Sequence, residues 1–372
     1  MPFPCTRLAV SRDKSGQQNA RGEPVPHALP ELSVIVPTCD RPIPLDHTLS
    51  ALTRQSLAAD RFEVVIVDDG SSAAVAPVPP MGAWPFEVRY IRQLPRGLAA
   101  ARNLGAKVAR GQILVFVDDD VELAPEALAA HLSTHLDQGA RTAVVGALPF
   151  GDRTPRDCFT WFLERRGHYD LYARSDKYPG GVPLLAPMNG HSSVRRQLFR
   201  DAGGYDTGLG AYGGEDLELG HRLALAGVRF HYQPAAIGYH QHTKGFDAFC
   251  RDMESSGEAL VRVFARHPEI KSAKQIDLLA DRPHELPARR RLAKFAVDLA
   301  LRLRTVEALA RAIALRGQRF YTLRAVLYPL YRWVGGCHYA RGIRRGLDSQ
   351  AAGKRFDSAP QEANGAAAGG SA

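Results

Sequence analysis

The chain has 372 residues, 45% of them hydrophobic and 23% charged, a composition that excludes a disordered or fibrous protein and supports one large α/β domain with an appendage, or two domains. Its net charge is +9, yet residues 251–350 hold 20 Lys and Arg against 10 Asp and Glu, so that block alone carries +10. The basic character belongs to the C-terminal third. No recognisable nucleic-acid motif accompanies it, which argues against a nucleic-acid partner. No window approaches the roughly 18 consecutive apolar residues of a membrane-spanning helix, and the mean hydropathy of −0.22 agrees. The five cysteines (Cys5, Cys39, Cys158, Cys250, Cys337) are far apart with no CxxC spacing, so reduced structural thiols are expected. The N-terminus has neither an unbroken apolar run nor a small-residue cleavage site, which predicts a cytoplasmic chain.

Residues 1–30 are rich in Pro, Gly and charge and read as a flexible leader. Leu32 to Val36, stopped by Pro37, and Phe62 to Val67, stopped by Asp68-Asp69-Gly70-Ser71, read as buried strands. Between them Leu45, Leu49, Leu52 and Leu57 recur at near-helical spacing, which makes a strand, helix, strand unit of a parallel sheet. Residues 73–85 read as loop, Val88 to Ile91 as a third strand, Leu98 to Ala109 as a helix of small residues, and Gln112 to Val117 as a fourth strand. Residues 121–245 predict a helix over Pro125 to Leu136, a strand over Ala143 to Leu148, an irregular aromatic stretch, a helix beginning near Gly214, and a strand pair within Phe230 to Tyr239. From 246 to 350 the pattern is helical with Arg-studded faces. Residues 351–372, rich in Ala, Gly and Ser, read as a disordered tail.

Ligands of open parallel α/β sheets bind outside the carboxyl ends of the strands. Asp40, Asp68-Asp69 and Asp118-Asp119-Asp120 follow strands one, two and four, so up to six carboxyls approach one crevice. A divalent cation with oxygen ligands and a substrate diphosphate would neutralise such a cluster. A single Asp at a strand end merely caps or turns; three in a row after an apolar strand exceed that need.

At these residues the chain resembles the family-2 glycosyltransferases, over Leu32 to His242. SVIVPTCDRP (Ser33 to Pro42) is similar to the family's nucleotide-base strand, with Cys39-Asp40 where Tyr-Asn is usual. VVIVDDGSS (Val64 to Ser72), GLAAARNLGAKVARG (Gly97 to Gly111), the DXD-like VFVDDDVELAPEAL (Val115 to Leu128), the stretch from Met188 to Gly227 and PAAIGYHQH (Pro234 to His242) follow in the family's order. The resemblance implies a GT-A nucleotide-diphospho-sugar transferase fold over 31–245, an α/β, Rossmann-like mixed sheet flanked by helices, to which the helical pattern of 246–350 adds a basic C-terminal extension outside the resemblance. It implies donor contacts from Pro37, Thr38, Asp40, Asp68, Asp69, Arg102, Asn103 and Asp118. It also implies a metal held by Asp118, Asp120 and His240, with His242 as second choice, an acceptor and donor-sugar loop with Asn189, Gly213 and Gly214, and Glu215-Asp216 at the catalytic helix start.

The resemblance assigns Asp216 as general base of a single displacement with inversion, beside Glu215, and implies Mn²⁺ or Mg²⁺, with imidazole beside carboxylate favouring Mn²⁺. The expected partners are a nucleoside-diphosphate sugar, UDP-sugar first, and a saccharide or lipid-linked acceptor in cell-surface glycan synthesis. A catalytically silent donor-binding scaffold is the alternative. A nucleotidyltransferase would need a Gly-rich basic triphosphate loop near the first strand, and PTCDRP is not one. The aromatic stretch Phe159 to Tyr172 reads as core or as a sugar-stacking surface. The C-terminal block reads either as a helix pair at an anionic membrane surface, peripheral on its inner face, or as a bundle packed on the catalytic domain with Arg outward.

Overall fold

A computed structural model describes residues 8–10, 29–73, 84–166, 188, 190–209, 213–273 and 286–352. Nine strands among them form one sheet: β1 (Leu8–Val10), β2 (Leu32–Thr38), β3 (Phe62–Asp68), β4 (Glu87–Arg92), β5 (Ile113–Val117), β6 (Val121–Leu123), β7 (Thr142–Ala147), β8 (His191–Arg195) and β9 (Arg229–His240). Their order is β1-β4-β3-β2-β5-β8-β7-β9-β6. Strands β4, β3, β2 and β5 run parallel, and every residue of β2, β3 and β5 is buried, which is why they read as unbroken apolar runs. Side chains of β2 alternate between two cores. Val34 and Val36 meet Leu45 and Leu49 of α1 (Pro42–Leu52) and Leu128 and Leu132 of α3 (Ala127–Gln138). Ile35 joins the opposite core with α2 (Leu98–Val108), α5 (Arg196–Asp201) and α6 (Glu215–Leu225).

The second half of the sheet departs from the expected pattern. The strand pair expected within Phe230 to Tyr239 is a single strand, β9, which pairs in parallel with β7 and then antiparallel with β6. Its turn-like Gln233-Pro234 marks a shift of register, from Gly146 opposite Gln233 to Ala147 opposite Ile237. Proline lacks the N–H for a ladder bond, so a bulge is where a strand tolerates it. Strand β8, absent from the sequence reading, lies antiparallel between β5 and β7. Within the expected leader, Leu8–Val10 forms β1 on β4; the rest of residues 1–28 and the tail 353–372 lie outside the described residues.

Beyond the sheet, α4 (Cys158–Arg166) shares a core with α7 (Phe246–Arg266), α10 (Arg304–Gly317) and α11 (Arg324–Ala351), while α8 (Pro268–Ala273) packs on α7, and α9 (Ala288–Arg302) precedes α10. Phe159 and Phe162 are fully buried against Phe249 and Tyr331, so this part of the aromatic stretch is core; its residues 167–172 lie outside the described residues. Helices α7 and α11 cross closely: a Cβ at Gly342 would stand 1.9 Å from the Glu254 carbonyl oxygen.

Candidate active site

The three carboxylates after β5 point in different directions. Asp118, partly exposed, accepts a 2.7 Å hydrogen bond from Arg102 Nη2, and its own N–H donates to the Gly190 carbonyl. A Cβ at Gly190 would fall on the Asp118 carboxylate and push it from its place, so glycine leaves room for that side chain. Asp119 turns inward, accepting from Thr38 Oγ1 and Arg41 Nη1, each at 2.7 Å. Burial pushes its carboxyl up to about 7 against the pull of Arg41. Asp120 Oδ1 lies 3.5 Å from His240 Nε2, and its Oδ2 accepts from Arg41 Nη2 at 2.7 Å. Burial alone would raise the Asp120 carboxyl, but His240 and Arg41 together outweigh it and hold the group well below the usual carboxylate range.

His240 ends β9 opposite Val121, one residue beyond the DXD-like run, so the β6–β9 pairing sets the Asp120–His240 approach. His242 follows the strand end and its ring packs on Phe150 and Phe159. Of the two histidines, His240 is therefore the one 3.5 Å from Asp120. These groups line a cavity of about 370 Å³ with Pro37, Thr38, Cys39, Asp69 and Lys244. A hard carboxylate oxygen and an imidazole nitrogen facing one space suit a divalent cation, and the guanidinium drawn onto Asp119 and Asp120 shows that the cluster accepts positive charge.

Glu215 and Asp216 open α6 behind two glycines in the left-handed region, Gly213 (φ 92) and Gly214 (φ 89). Both acids lie in the first helical turn, where the macrodipole favours negative charge. The main chain is pinned from outside, the Met188 N–H donating to the Asp216 carbonyl at 3.0 Å. Buried Arg102 spans the two parts of the site, with Nη2 on Asp118 and Nη1 3.6 Å from Glu215 Oε1, and its guanidinium lies over the Tyr205 ring. Burial, reinforced by Asp216, pushes the Glu215 carboxyl up to about 7.

Several residues expected to face the nucleotide are engaged inside the protein. Asp68 is fully buried and accepts from the Ser71 N–H and the Tyr90 hydroxyl. Asp69 accepts from Gln93 Nε2 and from the Arg96 and Gly97 N–H groups, fixing the turn into α2 while still lining the cavity. Asp40, at φ 52, accepts from the Ser72 N–H and hydroxyl and so ties two strand-end loops together. Asn103 is the most fully engaged: its Nδ2 donates to the Tyr205 carbonyl and its Oδ1 accepts from the Tyr205 N–H, each at 2.8 Å, which ties α2 to the loop before α6. Asn189 lies outside the described residues. Sequence reasoning missed Arg41 and Tyr205, and placed Asp119 in the acidic cluster without a role of its own. The signal for Arg41 was present, since a lone cation follows Asp40 beside an acidic cluster that requires one.

The parallel β4-β3-β2-β5 half, the antiparallel β8 and the carboxylates at the strand ends define a GT-A fold. A mannosyltransferase from Pyrobaculum calidifontis, solved with GDP-Man and Mn²⁺, shares that fold with a TM-score of 0.54 and 20% identity, over 86% of this chain and 88% of its own. The family model for glycosyl transferase family 2 matches residues 33–196, and that for the N-terminal domain of galactosyltransferase matches residues 168–245. The glycosyl transferase family 2 match thus covers the strands and carboxylates of the first half of the sheet, somewhat under half of the chain. The chain is 29% identical over 258 residues to validoxylamine A glucosyltransferase of Streptomyces hygroscopicus subsp. limoneus, covering 60% of this chain and 54% of that protein. It is also 26% identical over 247 residues to hyaluronan synthase of Pasteurella multocida, covering 58% of this chain and 25% of that one. The chain thus spans about half the length, or less, of these curated relatives.

Proposed function

We propose that the protein is an inverting glycosyltransferase that moves a sugar from a nucleoside-diphosphate sugar, a UDP-sugar first, to a hydroxyl of a saccharide or lipid-linked acceptor in cell-surface glycan synthesis. The observation that carries this reading is the Arg102 bridge, which joins the Asp118 end of a carboxylate-lined cavity to the first turn of α6. Asp120 and His240 would hold Mn²⁺ or Mg²⁺, which supplies Lewis-acid stabilisation of the departing diphosphate. Thr38 and Arg41 fix Asp119 and thereby the loop that presents Asp118 and Asp120. Asp216 accepts the proton of the acceptor hydroxyl, and Arg102 keeps Asp118 and Glu215 from repelling one another. Thermal shift across a panel of nucleotide sugars tests the reading. One donor is expected to raise Tm only with Mn²⁺ or Mg²⁺ present, and Asp120→Ala to weaken that binding by about 100-fold. No metal-dependent shift with any donor, or an unchanged shift in Asp120→Ala, overturns it.

We further infer that the protein works at the inner face of the cell membrane, docked through α9 and α10. No helix among the described residues is long and apolar enough to cross a membrane. Both C-terminal readings have support, because the bundle buries Leu327, Tyr331 and Val334 while two apolar stripes stay outside it. Leu292, Phe295 and Leu299 on α9 and Val306, Leu309 and Ile313 on α10 are each between 46% and 77% exposed, at the i, i+3, i+7 spacing of one helix face. Arg302, Arg304, Arg316 and Arg319 are exposed along the same segment. The acids there are consumed internally: Glu307 by Arg341, and Asp298 by Lys294 and Arg344. Full-length protein is expected to float with vesicles containing anionic lipid, less at high salt, and to lose flotation in Phe295→Glu/Leu309→Glu. Failure to bind vesicles with or without anionic lipid refutes the docking.

A further inference from the structure

We propose that His221, His267 and Glu269 form a second divalent-cation site, of the zinc class, tying the helix that carries Glu215 and Asp216 to the first C-terminal helices. His221 lies on α6, His267 directly after α7, and Glu269 in the first turn of α8, and one ligand atom from each falls within 4.8 Å of the others. His221 Nε2 is 2.6 Å and His267 Nδ1 3.7 Å from the same oxygen, Glu269 Oε1. An ion with bonds of about 2.0–2.1 Å in tetrahedral geometry places its ligand atoms roughly 3.3 Å apart, so both separations are within about 1 Å of that arrangement.

The surroundings orient these atoms as a metal would require. His267 Nε2 is 3.0 Å from Glu218 Oε1, and Arg222 fixes that carboxylate with two bonds of 2.6 Å. With Glu218 as the partner of Nε2, Nδ1 turns to the Glu269 carboxylate, a contact that a bound cation would bridge in place of a ring proton. His221 is 2% exposed, and among the described residues its Nδ1 makes no hydrogen bond, so its polar engagement runs through Nε2, toward the cluster. Two imidazoles and one carboxylate, with a fourth position for water, suit Zn²⁺ better than Mg²⁺. The site is separate from the Asp120–His240 pair and does not depend on the sugar-transfer reading.

The test uses full-length protein carrying Asp120→Ala, so that the cavity site does not contribute, stripped with chelator and titrated with ZnCl₂. The expected result is one zinc bound per chain and a Tm rise of about 3 °C at a hundredfold excess over Kd, with no rise in MgCl₂. His267→Gln is expected to lose both. Glu269→Gln, at an exposed position where folding is not at risk, is expected to lower zinc affinity at least tenfold in the Asp120→Ala and the wild-type backgrounds alike. No zinc-dependent rise in Asp120→Ala, or an equal rise after Glu269→Gln, overturns the site.

Discussion

Asp216→Asn is expected to lower kcat for sugar transfer by roughly 10²–10⁴-fold, the usual contribution of a general base, with donor KM little changed. The substitution is nearly isosteric, and the contacts that place the residue survive it. The Met188 N–H bonds the Asp216 main-chain carbonyl, and the Leu217 N–H bonds Oδ1, an oxygen that the amide retains. What disappears is the capacity to take a proton at the start of α6. Glu215→Gln is the informative companion. Glu215 is buried against Arg102, so its loss is expected to disturb the Arg102 link to Asp118 and to raise donor KM as well as lower kcat. Comparable kcat values for wild type and Asp216→Asn, measured at saturating donor, would remove Asp216 from the role of base. Equal donor KM in Glu215→Gln would show that Arg102 does not need its second carboxylate.

The parts of this site that were legible in the sequence are those in which backbone and chemistry obey the same rule. Buried parallel strands must be apolar, so Leu32–Thr38, Phe62–Asp68 and Ile113–Val117 stand out, and the acids that end them fall at one sheet edge by topology alone. Strand β8 breaks that rule. His191, Ser192 and Ser193 are fully buried in the middle of the sheet, and their polarity disguised the strand. They are tolerated because Ser193 Oγ meets His131 Nδ1 at 2.8 Å and His135 Nε2 at 2.9 Å from α3, while His191 Nδ1 meets the Ala147 carbonyl oxygen at 3.0 Å. No periodicity encodes such a network, since its partners lie some 60 residues away. Asn103 illustrates the same limit at the site: its place in a motif suggested a ligand contact, whereas its hydrogen bonds are spent on Tyr205, 102 residues on.

That buried network carries a second large consequence: in metal-free buffer, stability is expected to fall by about 2 kcal/mol per pH unit between pH 6 and pH 5. Burial lowers His131 well below its ordinary value, His135 to about 3, and His191 and His242 to about 4. Each depressed group contributes stability that is complete above its unfolded pKa of about 6.5 and is lost as pH falls below it, because the unfolded chain takes up a proton that the folded chain refuses. Asp119 and Glu215 act in the opposite sense. Raised to about 7 in the fold, they hold protons there that the unfolded chain has released, so they favour the folded state as pH falls through this window. The four strongly lowered histidines against the two raised carboxyls leave a net uptake of about two protons on unfolding, to which His231, lowered by partial burial, adds in the same sense; each net proton is worth roughly 1.4 kcal/mol per pH unit, less incomplete titration. Urea midpoints at half-unit steps from pH 6.5 to 5 measure it. His135→Gln, whose amide nitrogen can reach Ser193 in place of Nε2, removes one of the four titrating groups and is expected to flatten the slope by about 1.4 kcal/mol per pH unit. A wild-type midpoint independent of pH across this range would mean that about two of these four histidines take up a proton in the folded protein, against the full burial of His131 and His191 in the sheet core.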